Sequence, residues 1–151
     1  MVERLCRVTN EHDLQGVGAC FATDYRLEMP THPGRDFVRR EQVLQNLGQI
    51  FAGVPDISVE ARYIADGDTA WSGWEMRGTR RDGSRHLMRG AIIFRDRDGE
   101  FSAARFYVEP VEQVSVGVDE MIQQTVQVGT ASLGPRQIAG ATSAGPERAG
   151  Q

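Results

Sequence analysis

At Pro55 the spacing of apolar residues changes, from about one in 3.6 before it to one in two after it. A chain that switches period once, near its first third, is constrained to a block of helices followed by a block of strands. Before the switch, Val2, Leu5, Cys6 and Thr9 share one helical face, and Leu14, Val17, Gly18 and Phe21 share another. Asn10-Glu11-His12-Asp13 separates them, with Asp13 placed to accept the first amides of the second helix. Tyr25 to Met29 reads as a short strand that stops at Pro30, and Pro30-Thr31-His32-Pro33-Gly34 reads as a loop. A third helix is predicted from about Arg39 to Phe51, on the stripe Val43, Leu44, Leu47, Ile50 and Phe51, closed by Gly53 and Pro55.

After the switch, Ile57, Val59, Ala61, Tyr63 and Ala65 alternate with Ser58, Glu60 and Arg62, the pattern of a strand with one buried face. Three further strands are predicted near Thr69 to Arg80, Arg85 to Arg95 and Phe101 to Glu109. Asp66-Gly67-Asp68, Asp82-Gly83 and Asp98-Gly99 turn the chain between them, which gives an antiparallel meander. Strands this long twist and curl, so helices on the concave side enclose a cavity. The fold class is therefore α+β, three N-terminal helices on a strongly bent antiparallel sheet. The domain is expected to span residues 1–112, with a possible short helix in 113–129 on Val118, Met121, Ile122 and Val126. Residues 130–151, rich in Gly, Ala, Ser and Pro, read as a tail.

Composition excludes several classes of function. A net charge of −4, with 17 arginines and no lysine scattered along 151 residues, does not make the concentrated basic stripe of a nucleic-acid groove. No apolar run approaches the roughly 18 residues of a membrane span. The N-terminus begins with charges in a helical pattern and has no signal-peptide core, so a cytoplasmic location is expected. Cys6 and Cys20 read as small buried hydrophobes. His12, His32 and His86 lack the spacing of a metal site, and neither a phosphate loop nor a dinucleotide fingerprint is present, so neither metal nor cofactor is expected.

The element order, with Asn10-Glu11-His12-Asp13-Leu14, Phe21-Ala22-Thr23-Asp24-Tyr25, Phe51-Ala52-Gly53-Val54-Pro55-Asp56 and Gly99-Glu100-Phe101, resembles the SnoaL-like branch of the nuclear transport factor two-like superfamily over residues 2 to about 112. The resemblance implies a cone-shaped α+β barrel, a deep hydrophobic pocket and a homodimer formed through the outer sheet face. Relatives include polyketide cyclases, ketosteroid isomerases, limonene-epoxide hydrolases and dehydratases, so it does not imply one reaction.

Enzymes of this kind use carboxylates in an apolar cavity, where desolvation separates an acid from a base. Glu28 is similar in position to a water-binding polar residue of the epoxide hydrolases, and Glu75 to their catalytic aspartate, although Gly73 replaces the arginine two residues earlier. Glu109 resembles the acid on the last strand of the polyketide cyclases, and Tyr107 shares its face, while the hydrolase acid falls nearer Phe106. His32, between two prolines, is a candidate proton carrier at the mouth of the pocket. Each also has a structural reading: Glu28 solvated on an edge strand, Glu75 on the outer sheet, Tyr107 in the core, Glu109 paired with an arginine at the rim, His32 setting the loop conformation. Alternation puts Trp71, Gly73, Glu75 and Arg77 on one face of their strand and Ser72, Trp74 and Met76 on the other, without saying which lines the cavity.

The functional expectation is a cofactor-independent acid/base enzyme, of isomerase, cyclase or dehydratase type, acting on a hydrophobic or polyketide-like small molecule. Glu28, His32, Glu75, Tyr107 and Glu109 are its candidate catalytic residues, and Trp71, Trp74, Met76, Met88, Arg89 and Phe106 its candidate substrate-binding residues. The alternatives are a non-catalytic ligand-binding or dimeric interaction protein, favoured by a pocket without acids, and an epoxide hydrolase.

Overall fold

The computed structural model describes residues 1–113 and 116–127, and the chain divides into a compact unit Met1–Glu112 and a second unit Gln113–Gln151. The first unit opens with two helices, α1 (Val2–Asn10) and α2 (Leu14–Gly18). Val2, Leu5, Val8 and Thr9 are the buried residues of α1, and Asp13 Oδ1 caps α2 by accepting from the Gly16 amide at 2.9 Å. The first strand, β1 (Phe21–Glu28), leads through a short 3-10 turn (Pro33–Arg35) and a two-residue strand, β2 (Phe37–Val38), into the longest helix, α3 (Arg40–Gly53). Then come β3 (Ser58–Asp66), β4 (Thr69–Thr79), β5 (Arg85–Arg97), β6 (Glu100–Phe106) and β7 (Glu109–Pro110). The strands form one curved, unclosed sheet in the order β2-β1-β6-β5-β4-β3, with β7 also paired to β5.

Three features differ from the sequence expectation. Phe21 belongs to β1 and not to α2: it pairs with Phe101 of β6 and turns inward with Tyr25, and its spacing from Val17 and Gly18 imitates a helix. β1 pairs parallel with β6, so the meander β3 to β6 is closed on one side by a parallel neighbour. The last predicted strand is broken after Phe106, because β5 changes partner from β6 to β7 at Gly90. There φ is +155°, and a β-carbon would stand 2.7 Å from Val108 Cα and closer still to the Tyr107 carbonyl oxygen. Only glycine admits that crossing.

The helical block is fastened to the edge strand by side chains. Asn10 Nδ2 donates to the Val59 carbonyl at 3.0 Å and Asn10 Oδ1 accepts from the Val59 amide at 2.7 Å, which completes the ladder where β3 has no strand partner. His12, at φ +54° between α1 and α2, donates from Nε2 to the Ile57 carbonyl at 3.1 Å and stacks on Phe51. Phe94 stacks on Phe101 at 4.1 Å beneath the helices. Cys6 and Cys20 are free thiols, and burial pushes both above the ordinary thiol range. In the second unit α4 spans Val118–Gln127, with Val118, Met121, Ile122 and Val126 exposed. The tail read at 130–151, and residues 128–129 of the segment before it, lie outside the described residues. No helix among the described residues is long and apolar enough to cross a membrane.

Candidate functional site

The curvature of the sheet under α1 and α3 leaves a cavity of about 360 Å³, within the range of small-molecule sites. Leu5 and Thr9 from α1 and Val43, Leu47, Ile50 and Phe51 from α3 roof it. β1 supplies Phe21, Tyr25 and Leu27, with Met29 just beyond. The floor is Trp74 and Met76 of β4, Met88, Ile92 and Phe94 of β5, and Phe106 of β6. Alternation on each strand explains the set: Ser72, Trp74 and Met76 face the helices, and Met76 pairs across the ladder with Met88.

Polar groups in this wall are few, and two of them are engaged within the protein. The Trp74 indole donates to Ser72 Oγ at 2.8 Å, and Ser72 Oγ donates to the Ile92 carbonyl at 2.6 Å, so the indole is satisfied without reaching into the cavity. Asn46 Oδ1 accepts from Gln42 Nε2 at 2.8 Å. Arg35, exposed on the 3-10 turn, is the one charged residue in the wall among the described residues. Tyr25 is 2% exposed, and burial pushes its phenol well above the ordinary tyrosine range, so it stays protonated.

The candidate residues separate into three groups. Trp74, Met76, Met88 and Phe106 line the cavity as expected of a substrate wall. Trp71 and Arg89 do not: Trp71 lies on the opposite face, 55% exposed, and Arg89 spends its guanidinium there on Glu75 Oε2 at 2.7 Å. Glu75 also meets Arg77 at 3.2 Å, and these partners, Arg89 foremost, hold its carboxyl below the usual range. Glu28 is likewise turned outward, because Tyr25 and Leu27 take the inward positions of β1; its Oε2 accepts from Arg105 Nε at 3.1 Å in a second, outer pocket of about 480 Å³ that Arg26, Trp71 and Arg95 also line. None of the three candidate carboxylates Glu28, Glu75 and Glu109 lines the cavity, so no two of them meet there as an acid and a base. The structure brings two candidates together at the end of the sheet: His32 Nε2 lies 2.9 Å from Glu109 Oε1, an oxygen shielded from solvent but without an aligned hydrogen bond. Tyr107 and this pair are outside the cavity wall.

Sequence reasoning missed Thr9, Tyr25, Leu27, Met29 and Arg35 as wall residues. The signal for three of them was the alternation Tyr25, Leu27, Met29 against Arg26 and Glu28, which already sets Glu28 on the wrong face. Among the described residues no three His, Cys, Asp or Glu side chains cluster as a metal site.

Comparison with known proteins agrees with this architecture. Residues 2–104 match the family model of the SnoaL-like domain. No curated protein matches the chain. Among solved structures, IdmH, a candidate polyketide cyclase from Streptomyces antibioticus, is similar at a TM-score of 0.61 and 19% identity, over 85% of this chain and 95% of its own. A candidate ketosteroid isomerase from Kribbella flavida is similar at 0.58 and 18%, over 90% and 88%. A hypothetical protein of ketosteroid isomerase-like fold from Catenulispora acidiphila, in complex with trimethylamine, is similar at 0.58 and 17%, over 70% and 83%. Likeness at these identities concerns fold, while the family match covers most of the chain: this protein belongs to the SnoaL-like domain family and has the α+β fold of the nuclear transport factor two-like proteins.

Proposed function

We propose that the chain binds a hydrophobic small molecule in the cavity beneath α1 and α3, without acid/base chemistry by Glu28 or Glu75. One observation carries this reading: among the described residues the cavity wall contains no aspartate, glutamate or histidine. A general base must come within hydrogen-bond reach of the proton it takes, directly or through one water. Both carboxylates are instead on the far face of the sheet, committed to arginines. An apolar enclosure of this size favours burial of an apolar body, at roughly 25 cal/mol for each Å² removed from water.

The test is calorimetric titration with tetralin, a fused-ring hydrocarbon. Saturable binding is expected for the wild type, with at least tenfold loss in Leu47→Trp, which places an indole in the space from the side of α3. Binding that survives the blocking variant unchanged would remove the cavity from consideration.

A second reading is favoured by the approach of His32 to Glu109 at 2.9 Å. A carboxylate beside an imidazole can orient it, so the pair could serve an isomerase, cyclase or dehydratase acting on a ligand that protrudes from the cavity. This reading requires turnover of such a ligand that is lost in both His32→Gln and Glu109→Gln.

A further inference from the structure

The cavity contains a polar group that the protein leaves without a partner. Tyr25 is 2% exposed and forms part of the wall, yet its hydroxyl makes no hydrogen bond to any described residue. The sealed, unpartnered side-chain polar atoms among the described residues are His86 Nε2 and Glu109 Oε1. The Tyr25 hydroxyl is not one of them, so it borders open space, and the space this residue borders is the cavity.

The position is rigid. The ring stands edge-on to Phe21 at 4.7 Å and tilted to Phe37 at 6.3 Å. The Tyr25 carbonyl accepts from the Arg39 amide at 2.6 Å, and β1 is held by β2 on one side and β6 on the other. A phenylalanine would make the same ring contacts without burying a hydroxyl. A buried polar group needs a partner, and no described residue supplies one to this hydroxyl. The other polar wall groups differ from it: the Trp74 indole is engaged, and Asn46 and Arg35 are exposed residues. Thr9, 5% exposed on α1, adds a second wall hydroxyl with no hydrogen-bond partner for its side chain among the described residues.

We infer that Tyr25 is the specificity-determining anchor of the cavity, donating its hydroxyl proton to an acceptor oxygen on an otherwise apolar ligand. The ligand class is thereby narrowed from hydrophobic molecules in general to those with a carbonyl or comparable oxygen at the end that is buried. This rests on the ligand-binding reading above. Discrimination works by loss: a ligand lacking the oxygen leaves the phenol unpaired, and a site lacking the phenol leaves the ligand's oxygen unpaired.

The experiment compares tetralin with α-tetralone, the same fused rings carrying one carbonyl, by calorimetry on wild type and Tyr25→Phe. The expected result is a loss of about tenfold in α-tetralone affinity in the variant, with tetralin bound as well as before or better. Tyr25→Phe should melt at the same temperature as the wild type or higher, because it removes an unpaired polar group. An equal change for both probes, or unchanged α-tetralone affinity, would overturn the inference and leave the cavity reading in place. Failure of both probes to bind the wild type would overturn both.

Discussion

Arg105 Nε donates to Glu28 Oε2 at 3.1 Å across the parallel pairing of β1 with β6, on the side of the sheet away from the cavity. Both side chains are substantially exposed, and ion pairs of that kind contribute about 0–1 kcal/mol. Glu28→Gln should therefore change stability by less than about 1 kcal/mol in urea titration and leave tetralin affinity within twofold. A large loss of binding would show that the carboxylate acts on the ligand after all.

Gly90→Ala should be severely destabilising. The added carbon meets the backbone of Tyr107 and Val108, atoms that cannot move without breaking the change of partner between β6 and β7. A cost of about 2 kcal/mol or more is expected from chemical denaturation, since the clash is with main chain and not with a flexible side chain. Gly73→Ala is the control: its β-carbon meets nothing within 4 Å.

Asn10→Ala removes both hydrogen bonds that complete the edge of β3. The Val59 residue is buried, so its amide and carbonyl lose partners that water replaces poorly. A loss of about 2 kcal/mol is expected, with faster hydrogen exchange at the Val59 amide than at strand amides facing β5.

These residues show what was readable from the chain. The period change at Pro55 and the three Asp-Gly or Gly-Asp turns located the sheet because both signals are local. The break at Gly90 was invisible, because it is imposed by the later crossing of Tyr107 and Val108 and not by its neighbours in sequence. The face of β4 was decidable in principle: Glu75 and Arg77 accompany Trp71, whereas Ser72 and Met76 accompany Trp74. Glu28 was misplaced by a positional likeness to relatives, against the inward alternation of Tyr25, Leu27 and Met29. The unpaired phenol could not be read at all, since a missing partner is a property of three-dimensional surroundings.

Burial of the His86 ring, reinforced by the charge of Arg80, pushes its pKa below the ordinary 6.5. The unfolded chain therefore binds this proton at a pH where the folded chain does not, and stability rises with pH through that interval. On acidification the wild type should begin to lose stability as pH falls through 6.5 and stop losing it from this source below the folded pKa. His86→Gln should lack that component, and the difference between the two urea-midpoint profiles from pH 8 to pH 4 measures it. Superimposable profiles would show that the ring titrates normally.

The parallel pairing that runs from Phe21–Phe101 to Glu28–Arg105 joins segments at opposite ends of the folded unit. The hairpins β3–β4 and β4–β5 need only short loops to close, whereas this seam must wait for most of the chain to be in place. Phe21, Tyr25 and Leu27 enter the cavity wall from the late side of that seam. A partly folded chain with its hairpins formed thus has a floor but no enclosure, and an occupant can recognise only the finished molecule. Occupancy should therefore act on the rate of unfolding and leave the rate of folding untouched, so that the ligand extends the lifetime of the native state without helping the chain to reach it.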